Sequence, residues 1–226
     1  MSTAATILTT VRDLLVDTEP TGYRWSNAEL LRYLNAAQRQ IVFFRPDANA
    51  VEVVHSVADT NPLRSIPTDG FKFIKVVCNI SQNGDRGGRV QLVQVDVLDS
   101  LEPEWRRNVS TTASIDNFYS NYVFDPRQRK NFWLYPRPVA GRNVYILYAA
   151  TPTDVAATTS NMTLSAAFDS AMVEYVLFRA LSKEGRYAHP SDHAMKHWNN
   201  FLQMLGVNAQ AYDALVDEEK DVRDSG

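Results

Sequence analysis

Over residues 1–45 the apolar positions recur at helical spacing. Leu30, Leu34, Ala37 and Ile41 fall on one face of a helix running from Trp25 to Val42, with Arg32, Asn35 and Arg39 opposite. Ser26 followed by Glu29 has the spacing of a capping box, in which the Ser26 hydroxyl accepts from the Glu29 N–H and Glu29 reaches back to the Ser26 N–H. Residues 3–16 carry Ile7, Leu8, Val11, Leu14 and Leu15 and predict a shorter helix. Pro20 and Gly22 punctuate the turn between them. Pro46 closes the longer helix, since it has no N–H to donate and disfavours helical geometry at Arg45.

From about residue 50 the period changes to alternation. Val51, Val53, His55 and Val57 predict one strand and residues 71–77 a second. Asn83 to Gly88 reads as a turn, with residues 90–93 returning as the hairpin partner. Residues 96–106 suggest a short helix, and 118–124, 132–135 and 144–149 three more strands, separated by the turns at 125–128 and 138–141. Helical spacing resumes from Phe168 to Leu181, apolar round most of its circumference and therefore in need of cover on more than one side. A last helix starts near Pro190, presents Met195, Trp198, Leu202 and Leu205, and finds its C-cap at Gly206. The strong helical partners of the Trp25 helix all lie beyond residue 160, so the two ends of the chain must pack together. The fold class is α+β: a discontinuous helical bundle built from both termini (1–49 and 160–206), an inserted antiparallel β domain (50–159), and a tail (207–226).

Charge changes the picture only at that tail. The chain has 226 residues and a net charge of −3. Asp213, Asp217, Glu218, Glu219, Asp221 and Asp224 outweigh Lys220 and Arg223, so the tail carries −4 and the rest +1. With Tyr212, Leu215 and Val216 as its main apolar content, the tail is expected to order only on a partner, which makes Tyr212, Leu215, Val216, Asp217, Glu218 and Glu219 the candidate partner-binding residues. The overall acidic balance argues against a generic nucleic-acid-binding protein. Residues 1–5 lack a secretory pattern, which points to synthesis in the cytoplasm. Asp169, Glu174 and Arg179 make 166–181 a poor membrane span, so no membrane partner is expected.

No catalytic, cofactor or metal site emerges. His189, His193 and His197 have helical i, i+4 spacing, and a metal-dependent hydrolase using them is one alternative reading, a DNA-packaging or DNA-binding structural factor the other. The metalloprotease pattern needs a Glu directly after the first His of its pair, whereas Ala194 follows His193. Cys78, the single cysteine, reads as a core residue of a strand. Asp96, Asp99, Glu102 and Glu104 read as a solvated helix face, and the basic runs 106–107 and 127–130 as exposed turns that could meet nucleic acid or an acidic partner. The aromatic cluster from Phe118 to Tyr148 reads as sheet packing on two faces, with outward members available to a subunit contact.

The order of several segments resembles the head-to-tail adaptors of short-tailed bacteriophages, also called tail tubular or head–tail connector proteins. These segments are Trp25 to Leu31 with Leu34 to Arg39, then Arg45-Pro46-Asp47-Ala48, Phe132 to Pro136, Ala150-Thr151-Pro152 and Met172 to Lys183. The resemblance spans most of residues 1–206. It implies a virion protein without enzymatic activity or cofactor, placed at the head–tail junction. It also implies a homo-oligomeric ring of twelve subunits under the portal protein, receiving the tail nozzle protein, with genomic DNA passing through the centre without sequence recognition. The same resemblance implies a helix-pair core of Leu30, Leu34 and Ile41 against Met172, Tyr175, Trp198 and Leu202.

Overall fold

Each of the first two helices begins at a hydroxyl cap. Thr3 accepts from the Thr6 N–H at 3.3 Å and starts α1, Ala4–Leu15. Ser26 accepts from the Glu29 N–H at 3.2 Å and starts α2, Asn27–Phe44. The second half of the expected capping box is replaced. The Glu29 carboxylate accepts instead from Tyr33 Oη, one helical turn on, at 2.8 Å and from Lys183 Nζ at 2.6 Å, a charged donor stronger than the Ser26 N–H.

The computed structural model describes residues 2–19, 22–81, 83–106, 118–138, 140–184 and 192–207. These fall into two compact units, one from the described parts of Met1–Ala48 and Pro152–Gly226, the other from Asn49–Thr151.

In the first unit, α4 (Asp169–Glu184) packs against α1, α2 and α5 (Asp192–Met204). This accounts for its wide apolar surface: Ala171, Met172, Val176 and Ala180 are all buried. Leu30, Leu34, Ala37 and Ile41 of α2 are completely buried and Tyr175 and Leu202 are buried, while Trp198 is half-buried. Three expectations shift. Leu14 is 60 % exposed, so the stripe of α1 outruns the surface that covers it. Met195 is also exposed, because α5 turns Ala194, Phe201 and Leu202 inward, with Phe201 against the rings of Phe44 and Tyr175. Asn35 is buried rather than exposed. Its amide donates to Val155 O at 3.1 Å and its carbonyl accepts from Val155 N at 2.9 Å.

That clamp belongs to a longer seam. Ala4 N donates to Ser160 O and Ala5 N to Thr158 O, so the stretch after Pro152 satisfies N–H groups that the first turn of α1 leaves open. The return crossing between the units therefore falls at Thr151–Pro152, with 152–159 held among the helices rather than with the strands.

The second unit contains two four-stranded sheets. The first has the order β1 (Ala50–His55), β8 (Val144–Ala150), β3 (Gly70–Ile80), β4 (Arg86–Arg89). The second has β2 (Leu63–Ser65), β7 (Asn131–Tyr135), β6 (Asn121–Val123), β5 (Gln91–Leu92). Their shared core includes Phe73 stacked on Phe132 at 4.4 Å, with Val76, Tyr122, Leu134 and Ile146 around them. The second sheet is covered on its other face as well, where α3 (Val95–Leu101) and Trp105 bury Leu98 against Val123, Trp133 and Tyr135. Two-sided cover explains why these strands read as aromatic at nearly every position.

One pairing differs from the expected hairpin. The partner of β3 is the short Arg86–Arg89 strand, and the turn contracts to Ser81–Asp85, where Gly84 adopts φ 86°. Residues 91–92 leave that sheet altogether and pair in parallel with β6. Buried Val90 marks the crossing, and Asn79 locks it by donating to Gly88 O and Tyr119 O and accepting from Tyr119 N.

Candidate functional site

The candidate tail residues Tyr212, Leu215, Val216, Asp217, Glu218 and Glu219 lie outside the described residues, as does His189. The chain leaves α5 through Gly206 at φ 71°, with Val207 N donating to Leu202 O. Arg45 at the end of α2 donates to Leu205 O at 3.4 Å and pairs with Asp47 at 2.8 Å. The Asp47 carboxylate is thereby held below its ordinary pKa, chiefly by the Arg45 hydrogen bond.

The titratable side chains singled out in the sequence hold secondary structure together. His197 Nδ1 lies 2.7 Å from Glu174 Oε2, which also accepts from Asn200, so the histidine ties α5 to α4. His193 stacks beside it at 5.2 Å. Among the described residues no group of three His, Cys, Asp or Glu side chains is placed to hold a metal ion. Cys78 is buried in β3. Asp99 of α3 accepts from Trp105 Nε1 at 2.7 Å and pairs with Arg106 in the segment just after the helix, while Glu102 at the helix C-cap accepts from Tyr135 Oη of β7. The Trp105 hydrogen bond, followed by burial acting against it and the Arg106 hydrogen bond, leaves the Asp99 pKa lowered. The bond to Glu102 pushes the Tyr135 hydroxyl up.

Two features, apart from Phe118 of the aromatic cluster, were not singled out in the sequence. Arg12 and Asp17 form a buried pair at 2.5 Å. Arg12 also donates to Trp25 O and Asn27 Oδ1 and lies 3.6 Å over the Tyr23 ring, while Asp17 accepts from Arg24 N. This fixes the link between α1 and α2, with Val16 in the left-handed region at φ 53°. The second feature is a surface. Leu92, Val97, Leu101 and Phe118 of the β unit are all exposed, and Val97 and Leu101 share one face of α3 at i, i+4 spacing. Such side chains are contact material for a partner. Of these, the sequence pointed only to Phe118, as an outward member of the aromatic cluster.

The acids, histidines and arginines named above bind the fold's own elements to one another, and apolar side chains of the β unit remain exposed. The chain belongs to the SU10 adaptor protein family, whose family model matches residues 2–221. It is a phage head–tail adaptor, a structural protein of the virion at the head–tail junction, in agreement with the resemblance read from the sequence. The family is one of structural adaptors rather than enzymes. A search of the curated proteins gives no match. Among the described residues no helix is long and apolar enough to cross a membrane.

Proposed function

We propose that this protein forms a ring of twelve subunits that joins the portal protein to the tail nozzle protein and leaves a channel for genomic DNA. Membership of the adaptor family over residues 2–221 is the observation that carries this reading. The exposed apolar side chains of β5, α3 and Phe118 supply it with contact surface. The test is native mass spectrometry of the purified protein mixed with its portal. Twelve copies bound to one portal assembly is the expected mass, and a chain that stays monomeric beside the portal contradicts the reading.

Within that ring the acidic tail, residues 207–226, acts as a docking arm. Tyr212, Leu215 and Val216 anchor it to an apolar groove of a neighbour, and Asp217, Glu218 and Glu219 steer it toward a basic surface. Deleting 207–226 should leave a folded protein that no longer assembles. Unchanged portal affinity after the deletion rejects the arm.

A further inference from the structure

The turn between β6 and β7, Asp125-Pro126-Arg127-Gln128-Arg129-Lys130, carries Arg127, Arg129 and Lys130, all exposed. It is a rigid double turn. Gln128 N donates to Asp125 O at 2.9 Å, Asn131 N to Gln128 O at 3.0 Å, and Arg127 N to the Asp125 carboxylate at 2.9 Å. The β unit pins it from beneath, with Phe73 N donating to Arg129 O at 2.7 Å and Ile66 N to Lys130 O at 3.0 Å. The first of these bonds sets the turn against the edge of β3 at Phe73, between Lys72 and Lys75. Among the described residues neither Arg127 nor Lys130 pairs with a carboxylate. Other arginines of the unit are engaged elsewhere, Arg64 with Asp59, Arg86 with Glu52 and Arg106 with Asp99.

The acidic balance of the chain does not extend here. Residues 49–151 hold twelve Lys and Arg against ten Asp and Glu, a surplus of +2, which leaves −5 in the remainder of a chain whose net charge is −3. We infer that the 127–130 turn is a contact for the phosphate backbone of double-stranded DNA, resting on the reading that genomic DNA passes this protein. Phosphate contacts need only cations and amide donors on a fixed frame, and carry no sequence information. Protein interfaces instead centre on buried apolar and aromatic anchors, and although Arg is enriched in them Lys is depleted. The turn offers no large apolar side chain, which favours DNA over an acidic protein. A contact of this kind holds the duplex weakly and lets it slide.

The test is fluorescence anisotropy of a labelled random-sequence duplex titrated with the full chain, in parallel with the double variant R127Q/K130Q. Two phosphate contacts, from Arg127 and Lys130, contribute about 1.8 to the slope of log affinity against log salt, so raising salt from about 50 to about 200 mM should weaken the wild type about 12-fold through this turn. The variant should bind more weakly at low salt and lose that share of the slope. Its circular dichroism and melting temperature should match the wild type, and the exposed-site control R32Q/K196Q should leave DNA binding unchanged. Equal affinity and slope for wild type and variant overturn the inference. So does a variant that keeps DNA binding but loses binding of a poly-glutamate peptide, which would make the turn a protein contact. Portal assembly is read separately: a variant that assembles while the DNA result is negative sinks this inference alone, and a wild type that binds DNA but never joins the portal sinks the ring alone.

Discussion

The helical unit and the β unit bury their cores by different rules. In the helical unit each buried stripe is written within one segment, as in Leu30, Leu34, Ala37 and Ile41. In the β unit several strands are completed by distant residues: Ala50 pairs with Ala149, Leu63 with Trp133 and Gln91 with Asn121. The units also place their polar locks differently. Asn35 fastens a helix to a returning segment, whereas Asn79 holds the point where the chain passes from one sheet to the other. Helix faces are therefore set by local period, and sheet assignment by a few side chains at crossings.

The largest effect should come from the stacked ring pair. Phe73→Ala removes a fully buried ring packed on Phe132 and should destabilise the β unit by about 3–5 kcal/mol. Hydrogen exchange should show lost protection in residues 49–151 with protection in α2 and α4 retained; equal loss in both breaks the contrast. Leu34→Ala, at a completely buried position of α2, should cost about 2–5 kcal/mol and shift the weakening to the helices. A fall in melting temperature no larger than that of the exposed control Arg39→Ala counts against the buried face.

The two asparagines sharpen the comparison at smaller scale. Asn35→Ala and Asn79→Ala each leave backbone groups of Val155, or of Gly88 and Tyr119, without these partners, at about 1–3 kcal/mol per unsatisfied group. Asn79→Ala should loosen residues 88–92 and 119–123 before the rest of the β unit, as read by amide exchange. Uniform loosening would deny it the role of crossing lock.

The smallest effect is one of pH. Burial holds the His55 ring, 5.4 Å from Phe132, below its ordinary pKa, and nearby Arg64 acts in the same direction. The unfolded chain therefore takes up the proton first. Stability is intact above about pH 6.5 and declines as pH falls through that value. His55→Gln should flatten this part of the stability profile, and a profile unchanged by the substitution removes His55 as its source.

What the sequence made legible follows the same division. Ser26, Gly206 and the alternation Val51, Val53, His55, Val57 act within a few residues, and the structure uses each as the pattern indicates. The Glu29 pairing with Lys183 could not be read from spacing, since Lys183 lies 154 residues away. Nor could Asn35, whose burial depends on Val155, or the parallel pairing of Gln91 and Leu92, which depends on where Asn121 and Tyr122 lie. Of the candidate sites, the basic run at 127–130 was visible as composition. Its rigidity was not, because the bonds that hold it come from Ile66 and Phe73.

The central claim is that this chain joins head to tail. The most direct measurement is electron microscopy of particles assembled without it, followed by addition of the purified protein. The account predicts DNA-filled heads that lack tails, and tail attachment and infectivity restored by the added chain. Tailed, infectious particles assembled in its absence would contradict it.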